Sequence, residues 1–314
     1  MNFQLIDGKS VHLIGDPHMG RAFMTGVPIH RRGDREKRQL ARFKAELSTP
    51  CDFNIMVGDL LDHPNVGYGI VVAVAETYLE AARNRPATKF IAMAGNHDLP
   101  RNIGVIGAFD AFEKMVAHQG NIQVVRKPMM MAADLLVLPW EWGVSTKEQV
   151  EDVSTRLGTR PTACVMHCDL QSYGGDDSHM APIAELKALG IARLYSGHYH
   201  IAGDYDGVIC TGSMEPYSHA EDLDANTYVT LSLAEATDGR DLSQKCVRVI
   251  LEENEELPVG LDCFALTPLK AKVETEEIQA FGKVKAFDWQ ERLQAKLATI
   301  DPEVRSFIDE RLTG

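Results

Sequence analysis

The stretch Ile55-Met56-Val57-Gly58-Asp59-Leu60-Leu61-Asp62 decides how the rest of the chain is read. Its apolar start has the length and composition of a buried strand. Gly58-Asp59 ends the run and leaves a carboxylate just past the strand's C-terminal end, where ligands bind in open α/β sheets. One aspartate after one strand says little, because turns are rich in aspartate. Four other predicted strands end in the same way, however. Residues 11–15 run into Asp16-Pro17-His18, and residues 89–94 into Gly95-Asn96-His97-Asp98. Residues 162–166 run into His167, and residues 192–196 into Gly197-His198-Tyr199-His200.

Helical patterns alternate with these strands. Residues 34–47 place Leu40, Phe43 and Leu47 at spacings of three and four. Residues 67–84, 105–118, 145–157 and 182–189 also read as helices, the third of these with Ser145 or Thr146 as cap and Glu148 behind it. The alternation through residues 10–200 predicts a layered α/β domain. Short strands at 201–205, 208–210, 228–233 and 245–251 predict an antiparallel extension. Past Glu252 the pattern changes. An acidic hinge at 252–256 leads to one or two strands within 263–273, then to short helices at 289–297 (Trp289, Leu293 and Leu297 on one face) and 302–312. The expected division is a catalytic domain at 1–252 and a C-terminal cap with a helical segment at 253–314.

Composition narrows the class. The chain has 314 residues, 45% hydrophobic and 25% charged, as expected of a soluble protein with a full core. No apolar run reaches the roughly 18 residues that would span a bilayer. The N-terminus lacks the basic and apolar regions of a secretory signal, so the expected location is the cytoplasm. Six cysteines without a Cys-x-x-Cys pair read as buried free thiols. The net charge of −13 argues against a protein that coats nucleic acid nonspecifically. The charge is uneven: residues 21–44 hold eight Lys/Arg against Asp34 and Glu36, whereas residues 215–314 hold 21 acidic and 11 basic groups.

The strand ends together supply Asp16, His18, Asp59, Asn96, His97, His167, His198 and His200. Imidazole with carboxylate suits manganese, iron, zinc or nickel. The set is too large for one tetrahedral ion. It matches two metals about 3.5–4 Å apart, the spacing that clamps both oxygens of an in-line phosphoryl displacement. A lone histidine is usually structural, and His12, His30, His63, His118, His179 and His219 follow no such pattern.

Asp-x-His, Gly-Asp-x-x-Asp, Gly-Asn-His-Asp, a lone strand-end histidine and Gly-His-x-His, in that order across residues 10–212, resemble the calcineurin-like metallophosphoesterase superfamily. The resemblance implies a four-layer α/β/β/α sandwich with a two-metal site at the sheet ends. By motif, Asp16, His18 and His200 would hold one metal, Asn96, His167 and His198 the other, and Asp59 both. A water activated between the metals would be the nucleophile. His97 would act on the leaving oxygen, with Asp98 orienting it. Asp62 would do the same or cap a turn.

Within the superfamily, Asp62 is followed by His63-Pro64 and not by the Arg-Gly of the protein phosphatases. Gly58–Asp62, Leu138-Pro139-Trp140, residues 195–200 and residues 210–215 are similar to segments of the SbcD-type nuclease subunit of SbcCD repair complexes, especially its short phage versions. That likeness implies a Mn2+-dependent DNA exo- or endonuclease (Fe2+ or Zn2+ being the other candidates). It also implies a homodimer in a bacterial or phage-infected cytoplasm, with an SMC-like SbcC-type ATPase bound through residues 260–314. Arg21, Arg31, Arg32 and Arg38 would hold DNA phosphates. Two other readings compete: a phosphodiesterase or phosphatase for small nucleotides, and a scaffold that has lost catalysis.

Overall fold

The computed structural model describes residues 1–102, 104–132, 134–156, 161–172 and 176–271. The chain divides into two units, Met1–Ile250 with Glu255–Leu269, and Leu251–Asn254 with Lys270–Gly314. The helices expected at 289–297 and 302–312 lie outside the described residues. Among the described residues no helix is long and apolar enough to cross a membrane.

The first sheet comprises β1 (Asn2–Gln4), β2 (Ser10–Ile14), β3 (Phe53–Met56), β4 (Lys89–Met93) and β5 (Ile122–Val125), side by side in that order. All its pairs are parallel except β1 with β2. Three helices cover one face: α1 (Asp34–Leu47), α2 (Tyr68–Asn84) and α3 (Ala108–Val116). The second sheet uses β6 (Met129–Ala132), β7 (Leu135–Leu138), β8 (Ala163–His167), β9 (Arg193–Gly197), β10 (Gly203–Tyr205) and β11 (Val208–Cys210). Its order is β10-β11-β9-β8-β7-β6. Helices α4 (Thr146–Ser154) and α5 (Ile183–Ala188) pack on its outer face. Ser145 caps α4, accepting from the Glu148 N–H, while Glu148 accepts from the Ser145 N–H, as the sequence predicts.

Strand periodicity explains the layers. Side chains alternate between the faces of a strand, and strands buried on both faces read as continuous apolar runs. On β3 and just past its end, Ile55 and Val57 point to the central layer and Met56 to the helices. On β8, Ala163 and Val165 point inward, while Cys164 and Met166 meet α4 and α5. The central layer joins Val11, Leu13, Ile55, Val57, Ile91 and Met93 of one sheet to Leu135, Val137, Val165 and Tyr195 of the other. The result is the α/β/β/α sandwich. Five of the six free cysteines are buried, Cys51 being the half-exposed one.

A third sheet contains β12 (Tyr228–Ser232), β13 (Cys246–Leu251) and β14 (Ala265–Lys270). Strands β12 and β13 run parallel, which corrects the antiparallel extension expected there, while β10 and β11 are antiparallel as expected. The connection between β12 and β13 contains the short helix α6 (Leu233–Ala236) and has the dozen or so residues that a parallel crossover needs.

Helix α1 turns a stripe of Arg35, Gln39, Phe43 and Leu47 inward. The apolar end of the stripe packs on the sheet. Its polar end reaches the loop after β2, where the Gln39 side-chain amide donates to the Pro17 carbonyl at 2.7 Å.

Ile55 is fully buried and Tyr68 is 76% exposed. Ile55→Ala should therefore lower stability by about 2–5 kcal/mol in urea unfolding. Tyr68→Ala should stay within about 0.5 kcal/mol of the parent.

Candidate functional site

The parallel strands of both sheets deliver their C-terminal ends to one edge. From the first sheet come Asp16 and His18 after β2, Asp59 after β3, and Asn96 and His97 after β4. From the second come His167 at the end of β8, and His198 and His200 after β9. Asp16, His18, Asp59 and His167 are at most 1% exposed, whereas His97 is exposed. His18, Asp59 and His198 have φ of 44°, 51° and 74°, a region that non-glycine residues seldom adopt. Such positions persist only where their surroundings enforce them, and they cluster at functional sites.

Three donor sets form among the described residues, one of which, His18, Asp62 and His97, includes an exposed residue; the other two are buried or half-buried. Ligand atoms of Asp16, His18 and His200 lie within 4.8 Å of one another, and so do those of Asp59, His167 and His198. In the first set, His18 Nε2 and His200 Nε2 are 3.0 Å apart. In the second, Asn96 Oδ1 lies 3.0 Å from His167 Nε2 and 2.9 Å from His198 Nδ1. Asp59 faces both sets. Its Oδ2 is 3.6 Å from His18 Nε2 and its Oδ1 3.4 Å from His167 Nε2.

The opposite nitrogens of the rings are anchored. His167 Nδ1 lies 2.8 Å from the Val57 carbonyl, which can only accept, so Nε2 carries the lone pair that faces the cluster. His198 Nε2 lies 2.8 Å from Asp169, which turns Nδ1 inward. His200 Nδ1 lies 3.5 Å from Glu221. Carboxylates behind ligating histidines fix ring orientation and tautomer. Sequence reasoning missed Asp169 and Glu221. The spacing His167-x-Asp169 was the only signal for the first, and no short-range pattern marks the second. It also missed Tyr217, whose hydroxyl donates to the Pro17 carbonyl at 2.7 Å and whose ring stands edge-on to His18 and His200. Trp140, singled out in the sequence, stacks on His179 and His198.

Two glycines exist for this geometry. A Cβ on Gly58, whose φ is 108°, would lie 2.1 Å from His167 Nδ1; a Cβ on Gly95 would lie 2.2 Å from Asp59 Oδ1. Real Cβ contacts are never so short, so any side chain at either position would push a donor away.

The role expected of Asp98 is corrected. Its carboxylate is fully buried and accepts from the backbone N–H groups of Leu60, Leu61 and Gly95. It staples the Asp59 loop to the Asn96 loop. The ring of His97 is held by another group, with Nδ1 2.6 Å from the Asp62 carbonyl. The Asp62 carboxylate lies 3.6 Å from His18 Nδ1 and 3.7 Å from Arg21.

The four arginines separate. Arg21 stands beside Asp62 with its guanidinium 4.5 Å over the Tyr217 ring. Arg32 is exposed. Arg31 pairs with Asp34 and Asp262 and donates to the Ser243 carbonyl. Arg38 lies 3.4 Å from buried Glu215 and the same distance from the Gln244 carbonyl. The last two guanidiniums are thus engaged within the chain.

The electrostatics suit cations. Burial pushes Asp16 up to about 7 and His18 down to about 3. At His167 burial pulls downward, but the carboxylates of Asp59 and Asp16 outweigh it and raise the ring to about 9. Burial would raise Asp59, yet His167 and His18 hold it below the usual carboxylate range. At His167 a proton thus supplies positive charge beside the two buried carboxylates. Asp16 Oδ1 and His18 Nδ1 are buried without a hydrogen-bond partner among the described residues. Nitrogens facing each other at 3.0 Å have the separation of two ligands at right angles on one ion, each about 2.1 Å from it. The donor set therefore fits two divalent ions, with Asp59 shared.

A family model described as calcineurin-like phosphoesterase matches residues 9–202, well over half of the chain. No curated protein matches the chain.

Because Asp59 faces both sets and His200 only one, Asp59→Asn should lower bound metal at both sites, whereas His200→Ala should empty mainly one. Metal content per chain by mass spectrometry checks this, and unchanged content in Asp59→Asn would contradict it. Chelation should lower the melting temperature, since ligand at about 100 times its Kd adds about 2.7 kcal/mol per site.

Proposed function

This chain belongs to the calcineurin-like phosphoesterases, which hydrolyse phosphoesters with bound metal ions, and from that premise we propose that it is a DNA nuclease of the SbcD kind. The observation that carries phosphoester hydrolysis is the buried Asp59 carboxylate set between two groups of imidazoles. Two divalent ions, manganese first and iron or zinc otherwise, would supply an activated water and neutralise charge on the phosphate.

The chain's own residues do the rest. Asp16, His18 and His200 hold one side of the centre, Asn96, His167 and His198 the other, and Asp59 both. His97 is exposed beside these buried donors. With Nδ1 bound to a carbonyl, its Nε2 is the nitrogen left to protonate the departing oxygen. Asp62 sets the position of that ring through its carbonyl and faces His18 through its carboxylate.

For DNA over a phosphoprotein, support comes from His63-Pro64 where the protein phosphatases carry Arg-Gly. Further support comes from the short segments similar to SbcD-type subunits and from Arg21 at the rim of the centre. Arg21 and exposed Arg32 would hold backbone phosphates. Arg31 and Arg38, already paired within the chain, would instead hold the segment that carries Arg21's neighbours. The same reading includes a homodimer and an SbcC-type ATPase bound through the C-terminal segment. Sedimentation of the full chain with and without that ATPase tests both.

The full-length protein loaded with Mn2+ would be offered linear duplex DNA, single-stranded DNA, cyclic mononucleotides and an aryl phosphodiester. DNA cleavage is expected. It should fall by about 10²–10⁴ in His97→Ala and vanish in Asp59→Asn. Turnover of cyclic nucleotides without DNA cleavage would replace the nuclease reading with the small-nucleotide one.

A further inference from the structure

A second cavity adjoins the centre. Its volume is about 320 Å³, and it lies between the loop after β2, α1, and the sheet of β12, β13 and β14. It shares Arg21 and Tyr217 with the rim of the metal centre. In a chain of net charge −13, the described residues that line this cavity include Arg21, Arg35 and Arg248 and, among them, no carboxylate.

Arg35 is the telling residue. It is 4% exposed. Its guanidinium meets the Tyr228 hydroxyl, the Cys246 sulfur and the Pro216 carbonyl, none of them an anion. Its Nε is buried without a hydrogen-bond partner among the described residues. A buried cation is costly unless paired, and a protein that needed Arg35 only for packing would spare itself that cost with an apolar side chain. The guanidinium is backed by the Phe23 ring at 3.8 Å, which steadies a cation without neutralising it.

The remaining walls are mixed. Met24, Val27 and Val247 give apolar surface, and Thr25 and Ser218 give hydroxyls. Three arginines, with the aromatic rings of Phe23, Tyr217 and Tyr228 beside two of them and apolar side chains in the same wall, suit a ligand that joins a phosphate to a flat, weakly polar body. The volume lies at the small end of the range for ligand pockets, about 300–1,000 Å³.

We propose that this cavity binds a nucleoside monophosphate moiety, with Arg35 and Arg248 on the phosphate. The moiety is either free or the terminal nucleotide of a strand whose next phosphodiester lies at the metal centre. The second source rests on the nuclease reading; the binding itself does not.

Calorimetric titration of the full-length Mn2+-loaded protein tests it, because binding is read without turnover. The probes are thymidine monophosphate, thymidine and, with the Asp59→Asn variant so that no strand is cleaved, a short oligonucleotide with either a phosphate or a hydroxyl at its five-prime end. Thymidine monophosphate should bind the parent and the Asp59→Asn variant alike. Binding should weaken about tenfold or more in Arg248→Ala and in Arg35→Gln, and thymidine should bind weaker by a similar factor, as loss of a charge-assisted hydrogen bond implies. Arg248 is half-buried and outside the core clusters, so its variant reports even if Arg35→Gln fails to fold. A preference for the phosphorylated oligonucleotide over the monophosphate assigns the cavity to strand ends, and the reverse to the free nucleotide. Binding lost in Asp59→Asn but unchanged in Arg248→Ala would place all phosphate recognition at the metals and overturn the proposal. So would absence of binding by every probe.

Discussion

Asp59 is a carboxylate held wholly out of water, and burying a charge is tolerated only where other groups answer it. The surrounding loops are arranged to do so. The backbone N–H of His97 donates to Oδ1 at 2.9 Å, and His167 and His18 bring an imidazole nitrogen to each oxygen. To reach that position the backbone adopts a left-handed conformation at Asp59, preceded by a glycine that leaves room for His167. Asp98, buried beneath, ties the two loops that carry these contacts. The geometry of the edge follows from keeping one anion buried and doubly accessible to positive charge.

What could be read from the sequence follows from how local each signal is. Strand ends were legible because a buried parallel strand is a continuous apolar run and its Gly-Asp, Gly-Asn-His or Gly-His terminus follows directly in the chain. The layers followed from the alternation of elements. Asp169 and Glu221 were not legible, because a carboxylate behind a histidine is defined by three-dimensional approach and not by spacing. Asp98 was misassigned for the opposite reason: sequence adjacency to His97 suggested a side-chain contact, but successive residues on such a loop point different ways, and Asp98 points into the protein. The parallel pairing of β12 with β13 depends on a crossover that short apolar runs do not reveal.

The uneven charge has a structural meaning that composition alone does not give. Two of the basic residues of α1 and the segment before it meet acids of the later part of the chain. Arg31 meets Asp262, and Arg38 meets buried Glu215. Arg35, on the inward stripe of the same helix, points where no acid answers it. One helix thus spends some of its charge on holding the fold and keeps some of it uncommitted.

The donors are divided between the sheets. Asp16, His18, Asp59 and Asn96 hang from the first; His167, His198 and His200 hang from the second. Neither sheet alone offers a complete coordination sphere, and a slip of one sheet against the other by one strand residue, about 3.3 Å, exceeds any metal–ligand bond. The centre is therefore a gauge of how the sandwich is assembled. A misregistered sandwich would not bring both donor sets together. A phosphoester hydrolase built this way has its donors in place only when both sheets are.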